Sequence, residues 1–130
     1  MLLLVQLFAS QLQDLEKTTQ HKRTMTIACN KRMSQKIDVV AHIEALPGEE
    51  TLVREVLESY VAPTRLEDGC VRYDLFVDES NPCKFTFIEE WESKEALQKH
   101  SQSAHLAAGR PRVAGKLAGP NWVQILNRIA

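Results

Sequence analysis

The sequence predicts an α+β domain in which four strands and two helices alternate as β-α-β-β-α-β. Three observations carry this expectation. Segments beginning near positions 37, 71, 84 and 122 are rich in β-branched and aromatic residues, several in strict alternation. Two longer segments, opening at Glu49 and Ser93, place apolar residues at helical spacing behind a suitable helix start. Glycine and proline punctuate the boundaries at Pro47-Gly48, Pro63, Gly69, Pro82, Gly109, Pro111 and Gly119-Pro120.

Ile37, Val39, Ala41, Ile43 and Ala45 alternate with Asp38, Val40, His42, Glu44 and Leu46, a period-two strand with one apolar face. Glu49 and Glu50 then fall in a first helical turn, where carboxylates complement the positive end of the helix dipole. Leu52, Val53, Val56, Leu57, Tyr60 and Val61 share one face of that helix, which is expected to stop before Pro63. After a connector from Thr64 to Gly69, Val71, Tyr73, Leu75 and Val77 alternate with Arg72, Asp74, Phe76 and Asp78 as a second strand. Asp78 to Pro82 reads as a turn, so the third strand, Lys84 to Trp91, is expected to pair antiparallel with the second. Ser93 offers an N-cap hydroxyl to a second helix, which Ala104, Leu106, Ala107 and Ala108 continue as far as Gly109 and Pro111. One more turn is expected from Val113 to Leu117, and Trp122, Val123, Ile125, Leu126 and Ile129 form the last strand. This order is the split pattern of a ferredoxin-like sandwich, a sheet with two helices on one face. The other face keeps apolar side chains from the third and fourth strands. A second copy of the same sheet is its simplest cover, so a homodimer is expected.

A chain of 130 residues buries a proper core in one domain without metal or disulfide support. A net charge of -1 offers no basic surface, and no nucleic-acid partner is expected. The charge is unevenly spread. Residues 1–36 carry six Lys/Arg against Asp14 and Glu16, whereas residues 37–130 carry ten against fifteen acids. Residues 1–35 therefore read as an N-terminal extension to a domain of residues 36–130. Leu4, Phe8, Leu12 and Leu15 suggest a short amphipathic helix, followed by a polar, basic, poorly ordered linker. The first cation is Lys17, behind the apolar run instead of ahead of it, which fits a secretory signal badly, and the run is too short to span a membrane. Met33-Ser34-Gln35-Lys36 reads like the start of a bacterial cytosolic protein, so the residues before it are expected to be dispensable to the fold. Cys29, Cys70 and Cys83 are odd in number and share no CxxC spacing, which points to a reducing, cytoplasmic setting.

Chemistry concentrates between Phe85 and His105, where an aromatic strand ending in Glu89-Glu90-Trp91 leads into a helix that brings up two histidines. His42, Glu44, His100 and His105 are the available metal ligands. A pair on one helix face needs i, i+4 spacing, and His100 and His105 are five apart, roughly 140° around an ideal helix. Only a break between them would bring them together, and the sequence demands none, so no metal site is expected. There is no nucleophile elbow, no Cys-His arrangement and no glycine-rich phosphate or dinucleotide fingerprint. What remains is an apolar, aromatic-lined cavity carrying Tyr73, Trp91, His100 and His105, with Arg65 or Arg72 as a cation. Each residue singly suits a structural role, a core tryptophan or a packed tyrosine ring. Their joint occurrence suits a flat hydroxylated ring held by stacking, with an imidazole as general base.

The Pro-Gly helix start after the first strand, the segment Glu67-Asp68-Gly69-Cys70-Val71-Arg72-Tyr73, the strand Phe87-Ile88-Glu89-Glu90-Trp91 and His100-x-x-Ser103-x-His105 resemble the antibiotic biosynthesis monooxygenase domain. The likeness spans about residues 36–129 and is nearest to the small quinol monooxygenase members. It implies a dimeric α/β barrel of ferredoxin-like subunits, each with one pocket. It further implies oxidation of a quinol or phenolic aromatic by molecular oxygen without metal, flavin or other cofactor. On that reading His100 or His105 removes a hydroxyl proton, Trp91 and Tyr73 hold the ring, and Arg65 or Arg72 stabilises the oxyanion. Haem-degrading relatives need a pocket Asn ahead of the Trp, where this chain has Glu89 and Glu90. The competing expectations are an isomerase of a small phosphorylated signalling sugar and a dimeric small-ligand-binding module without turnover.

Overall fold

In the computed structural model, which describes residues 35–130, the first alternating segment is strand β1, Ile37–Glu44. It is followed by α1 (Glu50–Arg65), β2 (Cys70–Val77), β3 (Lys84–Trp91), α2 (Lys94–Ser101), α3 (Ala104–Val113) and β4 (Trp122–Leu126). The expected extension, Cys29 included, lies outside the described residues. The four strands pair antiparallel in the order β2-β3-β1-β4, the ferredoxin-like arrangement that the sequence predicts.

Register turns the alternation of each strand into two faces. On the helix-covered face lie Ile37, Val39, Ala41 and Ile43 of β1 beside Trp91, Glu89, Phe87 and Phe85 of β3. Val53, Val56, Leu57 and Tyr60 of α1 close over them and complete the core. Burying such side chains stabilises the fold by about 1.5–3 kcal/mol each. Val123 and Ile125 of β4 belong to the same face, opposite Ala41 and Val39, yet stay half-exposed because no helix reaches over them. That uncovered margin is where the interior opens. The opposite face aligns Phe76, Thr86, His42 and Trp122 in one row across all four strands. Its apolar members include the exposed Phe76, Trp122 and Leu126.

Three boundaries differ from expectation. Helix α1 runs through Pro63 to Arg65. A proline in the last turn forfeits one backbone bond, and tertiary contacts outweigh that loss: Thr64 is fully buried, and Arg65 Nε donates to the Tyr73 carbonyl at 3.0 Å. The expected single helix after Ser93 is two, because the chain turns at Gln102-Ser103, where the amide of Ser103 donates to the His100 carbonyl at 2.9 Å. The second of these, α3, continues past Pro111 to Val113. No turn of helix follows; Leu117 instead bridges Ala45. Strand β4 ends at Leu126, and Ile129 is left exposed beyond it.

Candidate active site

A cavity of about 510 Å³ lies between the inner sheet face and the three helices. Its walls are mostly apolar, with Val39 and Phe87 from the sheet, Leu57 from α1, and Leu97 and Leu106 from the later helices. The half-exposed Val123 and Ile125 form its margin along β4. The polar groups that line it include Tyr60, Tyr73, Glu89, His100 and Arg110.

His100 sits in the last turn of α2, which Ser93 opens by accepting the Ala96 amide at 3.1 Å. Its imidazole is 5 % exposed and packs against Trp91, ring centroids 4.8 Å apart, and edge-on to Tyr73 at 5.2 Å. Nδ1 stands 2.9 Å from Glu67 Oε2. An ionised carboxylate only accepts, so the hydrogen is on Nδ1 and the Nε2 lone pair is left for a ligand. Burial holds the imidazole below its ordinary pKa, against the opposing pull of Glu67. A neutral ring with a fixed tautomer is what a general base requires.

Glu67 is a site residue that the sequence reading passed over. The tight connector after α1 places it, with the Cys70 amide donating to its carbonyl at 3.1 Å. Gly69 makes that turn feasible: its φ is +83°, and a Cβ there would stand 2.6 Å from the Ala96 Cβ of α2. The only hint in the sequence is an acid two residues before a turn glycine, too common a pattern to single out. Thr64 was likewise missed. Its hydroxyl lies 2.9 Å from His105 Nε2, which in turn stands 3.3 Å from Glu67 Oε1.

The break at Gln102-Ser103 overturns the reason for expecting the two histidines to diverge. On separate helices their ring centroids come to 5.9 Å, with one carboxylate between them. Tyr73 lines the cavity as expected, its ring tilted on Phe87 at 4.7 Å, and burial drives its hydroxyl pKa far up. Trp91 is completely buried and backs His100 instead of lining the cavity; its Nε1 donates to Glu89 Oε2 at 2.7 Å. Burial raises the pKa of Glu89, the Trp91 donor pulling the other way. Arg65 and Arg72 do not reach the cavity. Both turn to the surface and clamp Asp74, each at 2.7 Å: β2 directs residues 72 and 74 to the sheet's other face, and Arg65, at the end of α1, is held there by the Tyr73 carbonyl. The guanidinium at the cavity is that of Arg110, held by the Ser101 carbonyl at 2.6 Å.

Comparison with known proteins agrees with this fold. The sequence profile described as antibiotic biosynthesis monooxygenase matches residues 37–112. A Mycobacterium tuberculosis protein named "Putative monooxygenase Rv0793" is 31% identical over 94 residues, spanning 72% of this chain and 92% of its own. The crystal structure of PA3566 from Pseudomonas aeruginosa superposes with a TM-score of 0.71 at 32% identity, covering 75% of this chain and 98% of that one. The structure of Rv0793 gives 0.68 at 29% identity, covering 74% and 97%. The chain belongs to the antibiotic biosynthesis monooxygenase family.

Proposed function

We propose that the protein is a monooxygenase that oxidises a quinol or phenolic aromatic with molecular oxygen, using no cofactor, and that His100 is its base. The family assignment supports a monooxygenase-type activity on a small molecule. The observation that carries the finer reading is a neutral His100 at the wall of an apolar cavity, its Nδ1 held by Glu67. Nε2 takes the hydroxyl proton of the ring. The resulting anion passes one electron to oxygen, and the two radicals recombine to form a carbon–oxygen bond. His100 returns its proton to that peroxide, and loss of water from the resulting hydroperoxide leaves one oxygen atom on the ring as a carbonyl, so substrate and O2 become product and water. Glu67 is the positioning residue. Tyr73 and Phe87 hold the ring, Glu89 accepts from a second hydroxyl, and Arg110 faces the developing negative charge. The dry walls protect the radical pair. His105, linked to Glu67 and Thr64, supports the base from behind.

A phosphorylated sugar fits less well. Arg65 and Arg72 are committed to Asp74 outside the cavity, and although Lys94 and Arg110 line it, its walls are mostly apolar and suit a ring better than a hydroxyl-rich sugar. The outer sheet face, with Phe76, Trp122 and Leu126 exposed, is assigned to a second copy of the chain, which makes the active unit a homodimer. Oxygen uptake with a reduced naphthoquinol tests the activity. The expected rate exceeds autoxidation and falls at least about 100-fold in His100→Ala. Uptake at the autoxidation rate with several quinols and phenols would instead indicate a binding module.

A further inference from the structure

The proposed reaction uses the pairing of His100 with Glu67 and gives His105, the other half of this cluster, only a supporting part. Glu67, His100 and His105 each offer a ligand atom, and these atoms all lie within 4.8 Å of one another. Oε1 of Glu67 is buried and receives no hydrogen bond, although His105 Nε2 stands 3.3 Å away. The same nitrogen faces Thr64 Oγ1 at 2.9 Å and Ser103 Oγ at 3.3 Å. Either hydroxyl can donate to that nitrogen or share its single hydrogen, and Oε1 of Glu67 is left unmet in both cases. A cation drawn to the carboxylate and both imidazoles would satisfy the group.

We propose that Glu67, His100 Nδ1 and His105 Nε2 bind a divalent ion of the zinc type, and that the bound ion switches off His100 as a base. Two imidazoles and a carboxylate suit borderline ions such as Zn2+, Co2+ or Ni2+, whereas Mg2+ and Ca2+ favour all-oxygen cages. Bonds of about 2.1 Å to a tetrahedral ion set ligand atoms about 3.4 Å apart. Oε2 of Glu67 to His100 at 2.9 Å and Oε1 to His105 at 3.3 Å, from the two oxygens of one carboxylate, already stand near that edge. The remaining closure is between two imidazoles on separate helices, which the break at Gln102-Ser103 allows to move. Binding takes the Nδ1 lone pair, so the hydrogen that Nδ1 shared with Glu67 ends on Nε2 by exchange with solvent, and the ring stays neutral. A donor then replaces the acceptor that the substrate hydroxyl needs. Binding follows from the cluster alone; only its inhibitory consequence rests on the proposed oxygenation.

The full chain, stripped with EDTA, is titrated with Co2+, whose visible absorption reports its coordination. A saturable band at one ion per chain is expected, displaced by Zn2+. Affinity should weaken at least about 10-fold in Glu67→Gln and in His105→Ala. His42→Ala, on the opposite sheet face, should leave the band unchanged, and far-ultraviolet circular dichroism verifies that each variant is folded. If His105→Ala fails to fold, His105→Gln takes its place. No band, or a band that survives when Glu67→Gln and His105→Ala are combined, overturns the site. Zn2+ should also abolish quinol-dependent oxygen uptake, with chelator restoring it. Uptake unchanged or stimulated by saturating Zn2+ overturns the inhibitory role. Should no quinol be oxidised at all, the Co2+ spectrum still decides the binding claim.

Discussion

Gly109 is a point of close approach between α3 and α1, and replacing it tests the packing that shapes the cavity. It is buried, and a Cβ added there would overlap the Cε1, Cζ and hydroxyl of Tyr60. Tyr60 cannot swing clear, since its ring is only 6 % exposed within the core. Three contacts this close put the cost at about 2–3 kcal/mol, the upper part of the usual overpacking range. Alanine returns about 1 kcal/mol through its better helix propensity. Gly109→Ala should therefore lose about 1–2 kcal/mol, lowering the thermal midpoint by roughly 5–10 °C for a chain of this size. Tyr60→Leu removes the three atoms that the new methyl would meet. In that background the same substitution should gain about 1 kcal/mol, a change of sign and a coupling of about 2–3 kcal/mol. Urea and thermal unfolding of the four proteins, followed by circular dichroism, measure the cycle. An equal loss in both backgrounds, or a gain in the native one, would refute the contact.

Burial raises the carboxyl of Glu89 above its ordinary value, so the folded chain keeps that proton to higher pH than the unfolded chain does. The contribution favours folding at acid pH and is lost as pH rises through the raised value. Glu89→Gln keeps an acceptor for Trp91, so its stability relative to the native protein should climb as pH rises above the ordinary glutamate range near about pH 4; a flat difference in urea midpoints would contradict this. Trp91→Phe removes the donor to Glu89 and should cost about 1–3 kcal/mol at neutral pH from that bond alone, shrinking where Glu89 is protonated. Equal losses at both pH values would argue against the pairing. Trp122→Asp on the outer face should shift sedimentation at micromolar concentration from dimer to monomer while leaving the fold intact. A native protein already monomeric there would dismiss the sheet-to-sheet dimer.

Period-two patterning made the sheet legible. Ile37 through Ile43 and Phe85 through Trp91 each commit one face to the core, and a slip of one residue would expose it, so register follows from composition. The helix ends were less legible, because Pro63 and Pro111 carry local penalties that Thr64, Arg65 and the contact between α1 and α3 outweigh. The candidate site divides along the same line. His100 and Tyr73 stood out as residue types on the right elements. Arg65 and Arg72 were named for their charge, but side chains on β2 alternate, and both found Asp74. Glu67 and the meeting of the two histidines depend on a turn and a helix break, where backbone direction is set by tertiary contact and not by periodicity.

Direct insertion of oxygen under the control of His100 is most sharply tested by isotope. The full chain, treated with EDTA and free of flavin, is incubated with a reduced naphthoquinol under 18O2, and the product is weighed by mass spectrometry. One 18O atom per product, formed faster than without protein and lost in His100→Ala, is the predicted result. Product carrying oxygen from water, or label incorporated at the same rate in His100→Ala, would contradict it.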